Sequence, residues 1–179
     1  AVSSGNASTY NISAAVSLPS GSNFSTQLGT DGTVTSYTVI TSLGSAGDES
    51  LASATNSLQG LAYSTRLSGN YVLGADIAAS GTSTWNSNSG FSPIGNAAGY
   101  FTGTFDGLGH TIAGLTISRS ATDYVGLFGL TYSAATIRNV GLVGGSVSGA
   151  SYVGHLVGAI GSGTVSGSYA TGSVSGTTQ

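Results

Sequence analysis

The sequence predicts an all-β chain: a right-handed parallel β-helix, or β-solenoid, preceded by an irregular strand-containing segment. Three observations carry that expectation. One phrase is written twice. It opens as Tyr124-Val125-Gly126-Leu127-Phe128-Gly129 and closes as Gly145-Ser146-Val147-Ser148-Gly149. It opens again as Tyr152-Val153-Gly154-His155-Leu156-Val157-Gly158 and closes as Gly172-Ser173-Val174-Ser175-Gly176. The openings are 152 − 124 = 28 residues apart and the closings 172 − 145 = 27, a period typical of stacked repeats. The second observation is composition. Of 179 residues 30 are Gly, yet nine Tyr, five Phe and many Val and Ile are spread among them, which suits short strands and tight turns rather than disorder. The third is charge. Only 5% of residues are charged, against ~25% in an average soluble domain, as expected where each level of chain is pressed between two others.

The same composition excludes several functions. The net charge is −3 and Lys is absent, so there is no basic footprint for nucleic acid or anionic lipid. Without Cys there is no disulfide scaffold and no zinc ribbon. From Asn139 to Gln179 no Asp, Glu, Lys or Arg occurs, but Gly, Ser and Thr interrupt the apolar residues every few positions. A membrane span needs ~20 mostly apolar residues, and the longest candidate, Tyr152–Ile160, is short and contains His155. No membrane insertion is expected. The absence of Met suggests a processed chain or a piece of a larger one, and Ala1-Val2-Ser3-Ser4 suits the mature side of a signal-peptidase cut.

Taken in order, residues 1–66 form an N-terminal strand or cap segment and residues 67–179 the repeats. Tyr10, Ile12, Ala14 and Val16 alternate as in a half-buried strand. Pro19-Ser20-Gly21 and Asp31-Gly32 signal turns, and Val34–Ile40 is a strong strand candidate. Asn6, Asn11 and Asn23 head glycosylation sequons. Asp48 and Glu49 precede Leu51, Ala54 and Leu58 at helical spacing, which predicts the chain's one short helix. Tyr71, Leu73, Ala75 and Ile77 read as one strand, and Ala79–Gly90, with Trp85, as an outer loop. Phe101, Gly103 and Phe105 share a face, Asp106-Gly107 and Leu108-Gly109 turn the chain, and Ile112, Leu115 and Ile117 point inward. Each unit of about 22–28 residues cannot bury its apolar face alone, whereas stacked units bury a continuous core. A β-sandwich would explain the strands but not the spacing.

The residues also carry a resemblance. Tyr124–Gly129 and Tyr152–Gly158 resemble the GLUG motif of bacterial surface proteins. Asn70–Ile77, Phe91–Gly95 and Phe101–Ile112 resemble the repeat region of filamentous-haemagglutinin-like exoproteins, the adhesins of two-partner secretion systems. The resemblance covers roughly Ser68–Gly176, is weaker over Val16–Leu43, and lacks the Asn-Pro-Asn-Gly-type motif of the secretion domain. It implies an extracellular β-helical stalk used in adhesion and biofilm matrix.

No catalytic, cofactor-binding or metal-binding residue is expected. The acids are Asp31, Asp48, Glu49, Asp76, Asp106 and Asp123. Asp76 and Asp106, 30 apart, could stack as a lyase-like pair, but capping of turns and strand ends is the expected role. Arg119 is placed to pair with Asp123, and Arg138 one level further on. His110 suits packing or a turn hydrogen bond; His155 is expected to face solvent. Two histidines make no metal site. Thr33/Thr35 and Thr102/Thr104 are too isolated for an ice-binding face. Tyr63, Tyr71, Tyr100, Tyr124, Tyr132, Tyr152, Tyr169 and Trp85 could form an aromatic platform for sugars, with Trp85 the best contact; Tyr124 and Tyr152 are expected to stack as a ladder instead. The functional expectation is an extracellular structural or adhesive β-solenoid. The alternatives are a filament subunit, joined by stacking or by donation of Thr9–Val16 to a neighbour's edge, and a carbohydrate-binding or carbohydrate-active β-helix. The expected partners are further copies, the rest of a longer stalk whose C-terminal edge is uncapped, or host and matrix glycans.

Overall fold

The computed structural model describes residues 12–27, 29–30 and 32–177. The chain is mostly β. Its strands are β1 (Gly21–Thr26), β2 (Thr35–Ile40), β3 (Asn70–Leu73), β4 (Ile77–Ala78), β5 (Thr104–Asp106), β6 (Thr111–Ala113) and β7 (Thr116–Ser118). There follow β8 (Phe128–Thr131), β9 (Thr136–Arg138), β10 (Gly141–Val143), β11 (Ser146–Gly149), β12 (Val157–Ile160), β13 (Thr164–Ser166), β14 (Tyr169–Ala170) and β15 (Ser173–Gly176). They form four sheets, ordered β1-β2-β3-β5-β9-β13, β4-β6-β10-β14, β7-β11-β15 and β8-β12. Every pairing is parallel except that of β1 with β2.

Parallel register stacks like on like. Tyr71, Phe105, Ile137 and Val165 make one column. Ile77, Ile112, Leu142 and Ala170 make a second, and Ile117, Val147 and Val174 a third. Phe128 lies between Ile94 and Val157. At the centre its ring meets Phe101 at 4.9 Å and Phe105 at 5.2 Å between centroids. The spacing is not the uniform 22–28 residues of the expectation. Ile77 and Ile112 are 35 apart, Ile112 and Leu142 30, Leu142 and Ala170 28. The earlier levels are longer because they carry insertions.

Several expectations hold locally. β2 occupies most of Val34–Ile40, Leu108 and Gly109 turn with positive φ, and Ile112, Leu115 and Ile117 are buried. Gly103 must be glycine: a Cβ there would lie 1.9 Å from the Gly69 carbonyl oxygen.

Others need correction. The strand expected over Tyr71–Ile77 is two strands in different sheets. It breaks at Gly74, where a Cβ would lie 2.3 Å from the Leu18 carbonyl oxygen, and Asp76 then bonds sideways to Thr111. The helix expected after Asp48 is only a 3-10 turn, Asp48–Ser50, and Leu51 is exposed while Leu58 is buried. Further 3-10 turns form at Gln59–Ala62, Ser64–Arg66 and Ser80–Thr84. The segment Ala79–Gly90 is therefore no plain outer loop: Thr82 is buried, its hydroxyl bonding Ala79 and Thr116, and Trp85 packs against the core. The turn α1 (Trp85–Asn88) is wound left-handed, with positive φ at Asn86, Ser87 and Asn88. It is held by the Asn86 amide donating to the Gly90 carbonyl at 2.8 Å.

The strand expected over Tyr10–Val16 begins in residues that are not described, and Ile12–Ser20 contains no strand. Val16 and Leu18 instead donate to the Leu108 and Gly74 carbonyls. Ile12, Leu18 and Phe24 cover a second apolar cluster of Tyr37, Val39, Val72 and Leu108. Both faces of β3 are thereby buried, as they are at Phe105 and Asp106 of β5, whereas β9 buries Ile137 and leaves Thr136 and Arg138 half-buried. Asp31, Asn6 and Asn11 lie outside the described residues. No helix among the described residues is long and apolar enough to cross a membrane.

Candidate functional site

Three distant segments meet at one polar cluster. Gln59 is fully buried; its side chain takes the Ser92 N–H at 2.9 Å and donates to the Ser92 carbonyl at 3.1 Å. Ser92 is thereby fixed with its hydroxyl donating to Glu49 Oε1 at 3.0 Å and accepting from Arg119 Nη2 at 3.1 Å. Arg119 also donates from Nε to the Phe91 carbonyl. Burial lowers the Arg119 pKa, and the charge of Glu49 opposes that shift. Glu49 Oε2 is buried without a hydrogen-bond partner among the described residues. The cluster floors a cleft of about 350 Å³, whose walls include Pro93, Asn96, Thr122, Asp123 and Tyr124. Arg119 does not pair with Asp123 as expected; Asp123 Oδ1 accepts the Ser151 N–H at 3.0 Å from the next level.

The other charged residues stabilise the fold. Asp76 and Asp106 do not stack: Asp106 lies opposite Val72 in the sheet. Asp106 is fully buried and accepts from the Leu108 N–H (2.9 Å), Asn139 Nδ2 (3.0 Å) and Arg138 Nε (2.6 Å). The first is the expected turn cap, and the last brings Arg138 from the next level. Asp76 accepts the Thr111 N–H at 2.8 Å, which is the main cause of its lowered pKa. His110 is buried, in keeping with the packing role, but its ring contacts are long-range and not within a turn: Nδ1 lies 3.2 Å from Asp76 Oδ1 and Nε2 3.0 Å from the Val16 carbonyl.

His155 does not face solvent. It is 6% exposed, both ring nitrogens lack partners among the described residues, and burial lowers its pKa. The register explains this. Val125 lies opposite Val153 (153 − 125 = 28) but Phe128 opposite Val157 (157 − 128 = 29). The second copy holds one extra residue here, and the imidazole is tucked under Gly172, where a Cβ would lie 2.5 Å from its Cε1.

The aromatic residues form no single platform. Tyr71 is buried, its hydroxyl donating to the Arg66 carbonyl at 2.8 Å with its pKa pushed up by burial to about 12. Tyr63 lies under the Arg66 guanidinium at 5.0 Å. Tyr100 and Tyr132 are tilted partners, and Tyr169 lies exposed against Gly141. Tyr124 and Tyr152 do stack as expected, 4.9 Å apart and within 3° of parallel, both with positive φ. Asn23, the one described sequon Asn, is exposed on β1. No group of three or more His, Cys, Asp or Glu that could hold a metal occurs among the described residues.

With this geometry in hand, similarity to known proteins can be placed on the chain. No family model matches it, and no solved structure does. The chain is 48% identical over 118 residues to "Halomucin" of Haloquadratum walsbyi, a match covering 63% of the chain and 1% of that protein. It is 40% identical over 72 residues to a "Putative Gly-rich membrane protein" of Evansella cellulosilytica, covering 38% of the chain and 8% of that protein. The chain thus spans only a small fraction of the length of these relatives.

Proposed function

We propose that the chain is a length of an extracellular structural stalk: a right-handed parallel β-helix, without catalysis, whose partner is more of the same architecture. One observation carries this reading. Among the described residues β12, β13, β14 and β15 each have a partner on one side only, and the columns that are buried at Ile137 and Val147 emerge at Val165 (38% exposed) and Val174 (47%). Such an edge is a template for another strand layer. Right-handedness follows the rule for parallel crossovers. The adhesin and GLUG resemblance and the similarity to a membrane protein support a cell-surface setting. The test is to append a further copy of residues 150–177. The proposal expects a monomer with a raised melting temperature and protection of the β13 and β15 amides from hydrogen exchange. An unchanged melting temperature with unprotected amides would reject it.

A filament subunit is the second reading, favoured by β1 and β13 forming opposite edges of one sheet. It expects the unextended chain to form concentration-dependent rods in electron micrographs; a monomer at high concentration excludes it.

A further inference from the structure

The Tyr124–Tyr152 ladder is missing a rung, and the structure assigns that gap a ligand: we propose that the cleft beside Tyr124 binds a neutral pyranose residue of a glycan. The proposal is independent of the stalk reading.

The order of levels fixes which ring face is free. Phe128 lies between Ile94 and Val157, so the level of Tyr124 has residues 92–96 on one side and the level of Tyr152 on the other. Tyr152 covers one face of the Tyr124 ring, in a parallel stack. Among the described residues no other aromatic ring continues the ladder. The cleft is lined by Tyr124 together with Ser92, Pro93 and Asn96 of the neighbouring level. Its volume, about 350 Å³, is at the small end of ligand pockets, which run from about 300 to 1,000 Å³, and admits a flat ring.

The walls match the two faces of a sugar. A pyranose has an apolar C–H face, which stacks on an aromatic ring, and an edge of hydroxyls, which needs both donors and acceptors. Tyr124 and Pro93 supply the apolar walls. Asp123 keeps Oδ2 without a hydrogen bond among the described residues, since only Oδ1 is engaged by Ser151. Asn96 spends its Oδ1 on the Ala98 and Gly99 N–H groups, which leaves its amide NH₂ as a donor. Arg119 is already held by Ser92 and Phe91 and faced by Glu49. One cation against two carboxylates leaves the cleft net negative, which selects a neutral sugar over a uronate or sialate.

The test uses the full chain and the methyl glycosides of glucose, galactose and mannose, with glucuronate as the anionic probe. Saturation-transfer NMR should show transfer to one ring face of at least one neutral glycoside. Asp123→Asn keeps the Oδ1 acceptor for Ser151 and should weaken binding roughly ten-fold, as expected for loss of a charge-assisted hydrogen bond. Tyr124→Leu should abolish transfer, whereas Tyr152→Leu should change affinity less than about three-fold, because the cleft does not use its ring. Thermal melts separate unfolding from lost binding. The proposal is overturned by no transfer from any neutral glycoside, by tighter binding of glucuronate, or by equal loss in Tyr152→Leu and Tyr124→Leu.

Discussion

The two copies of the repeated phrase follow the same path but live in different surroundings. In the first copy Val125, Leu127, Phe128 and Val147 are buried; in the second Val153, Leu156 and Val157 are half-buried and Val174 is exposed. Their strands still pair in parallel, with the offset moving between 27 and 29 residues from one strand to the next. The phrase therefore specifies strands, turns and register, while burial is conferred by whatever lies above and below. A second difference is in the residues. Where the first copy has Arg138 paired to Asp106, the second has Ser166 at the matching position. Only the first carries a charge, and it ties that copy to the preceding level.

The largest expected contrast is at the centre. Phe128→Ala should cost about 3–5 kcal/mol, and its counterpart Val157→Ala far less, both read by urea denaturation; comparable losses would show that the second copy is as tightly packed as the first. Next comes the ion pair. Arg138→Ala leaves the buried Asp106 carboxylate short of a charged partner and should cost about 3 kcal/mol, with part of the loss recovered in an Arg138→Ala/Asp106→Asn double variant. If the single variant is neutral, the pair does not distinguish the copies. Within the third column, Val147→Ala should cost about 2 kcal/mol and Val174→Ala less than about 1. Covering the edge with a further copy should bring the two values together. Truncating the ladder by Tyr152→Ala should remove about 0.5–1.5 kcal/mol, with no effect on the strands by circular dichroism.

The finest test concerns pH. The His155 pKa is lowered by burial, so the unfolded chain binds the proton more readily. That contribution to stability is intact above the unfolded value of about 6.5 and is lost as pH falls towards and through the depressed folded value. Melting temperatures of the native chain and of His155→Leu should diverge between neutral pH and about pH 5; parallel curves would mean the imidazole is solvated.

How much of this was legible before the structure depends on range. The repeat, the apolar columns, the Asp106 turn and the Tyr124–Tyr152 stack follow from residues whose partners sit one period away. His155 was legible in part: the second opening is one residue longer than the first, and a count of that residue would have flagged a squeezed side chain. The break at Gly74 was not, because it depends on Leu18 lying across the strand. Nor was the left-handed turn at Asn86–Asn88, although Asn tolerates positive φ better than most residues. The cleft was least visible. Ser92 and Arg119 lie 27 residues apart, close to one period, but no motif marks them, and Glu49 joins them from outside the repeat only because the early chain folds back onto the stack.

The ladders also have a mechanical meaning. All of them run along the stacking direction, and each level is tied to the next mainly by its backbone hydrogen bonds. A load pulling the two ends of the stack apart would part those bonds one level at a time. Each rupture would release about 28 residues, roughly 95 Å of chain at ~3.4 Å per residue. The most exposed level, β12–β15, would yield first, and a chain built of many such levels would lengthen under stress in steps rather than snap.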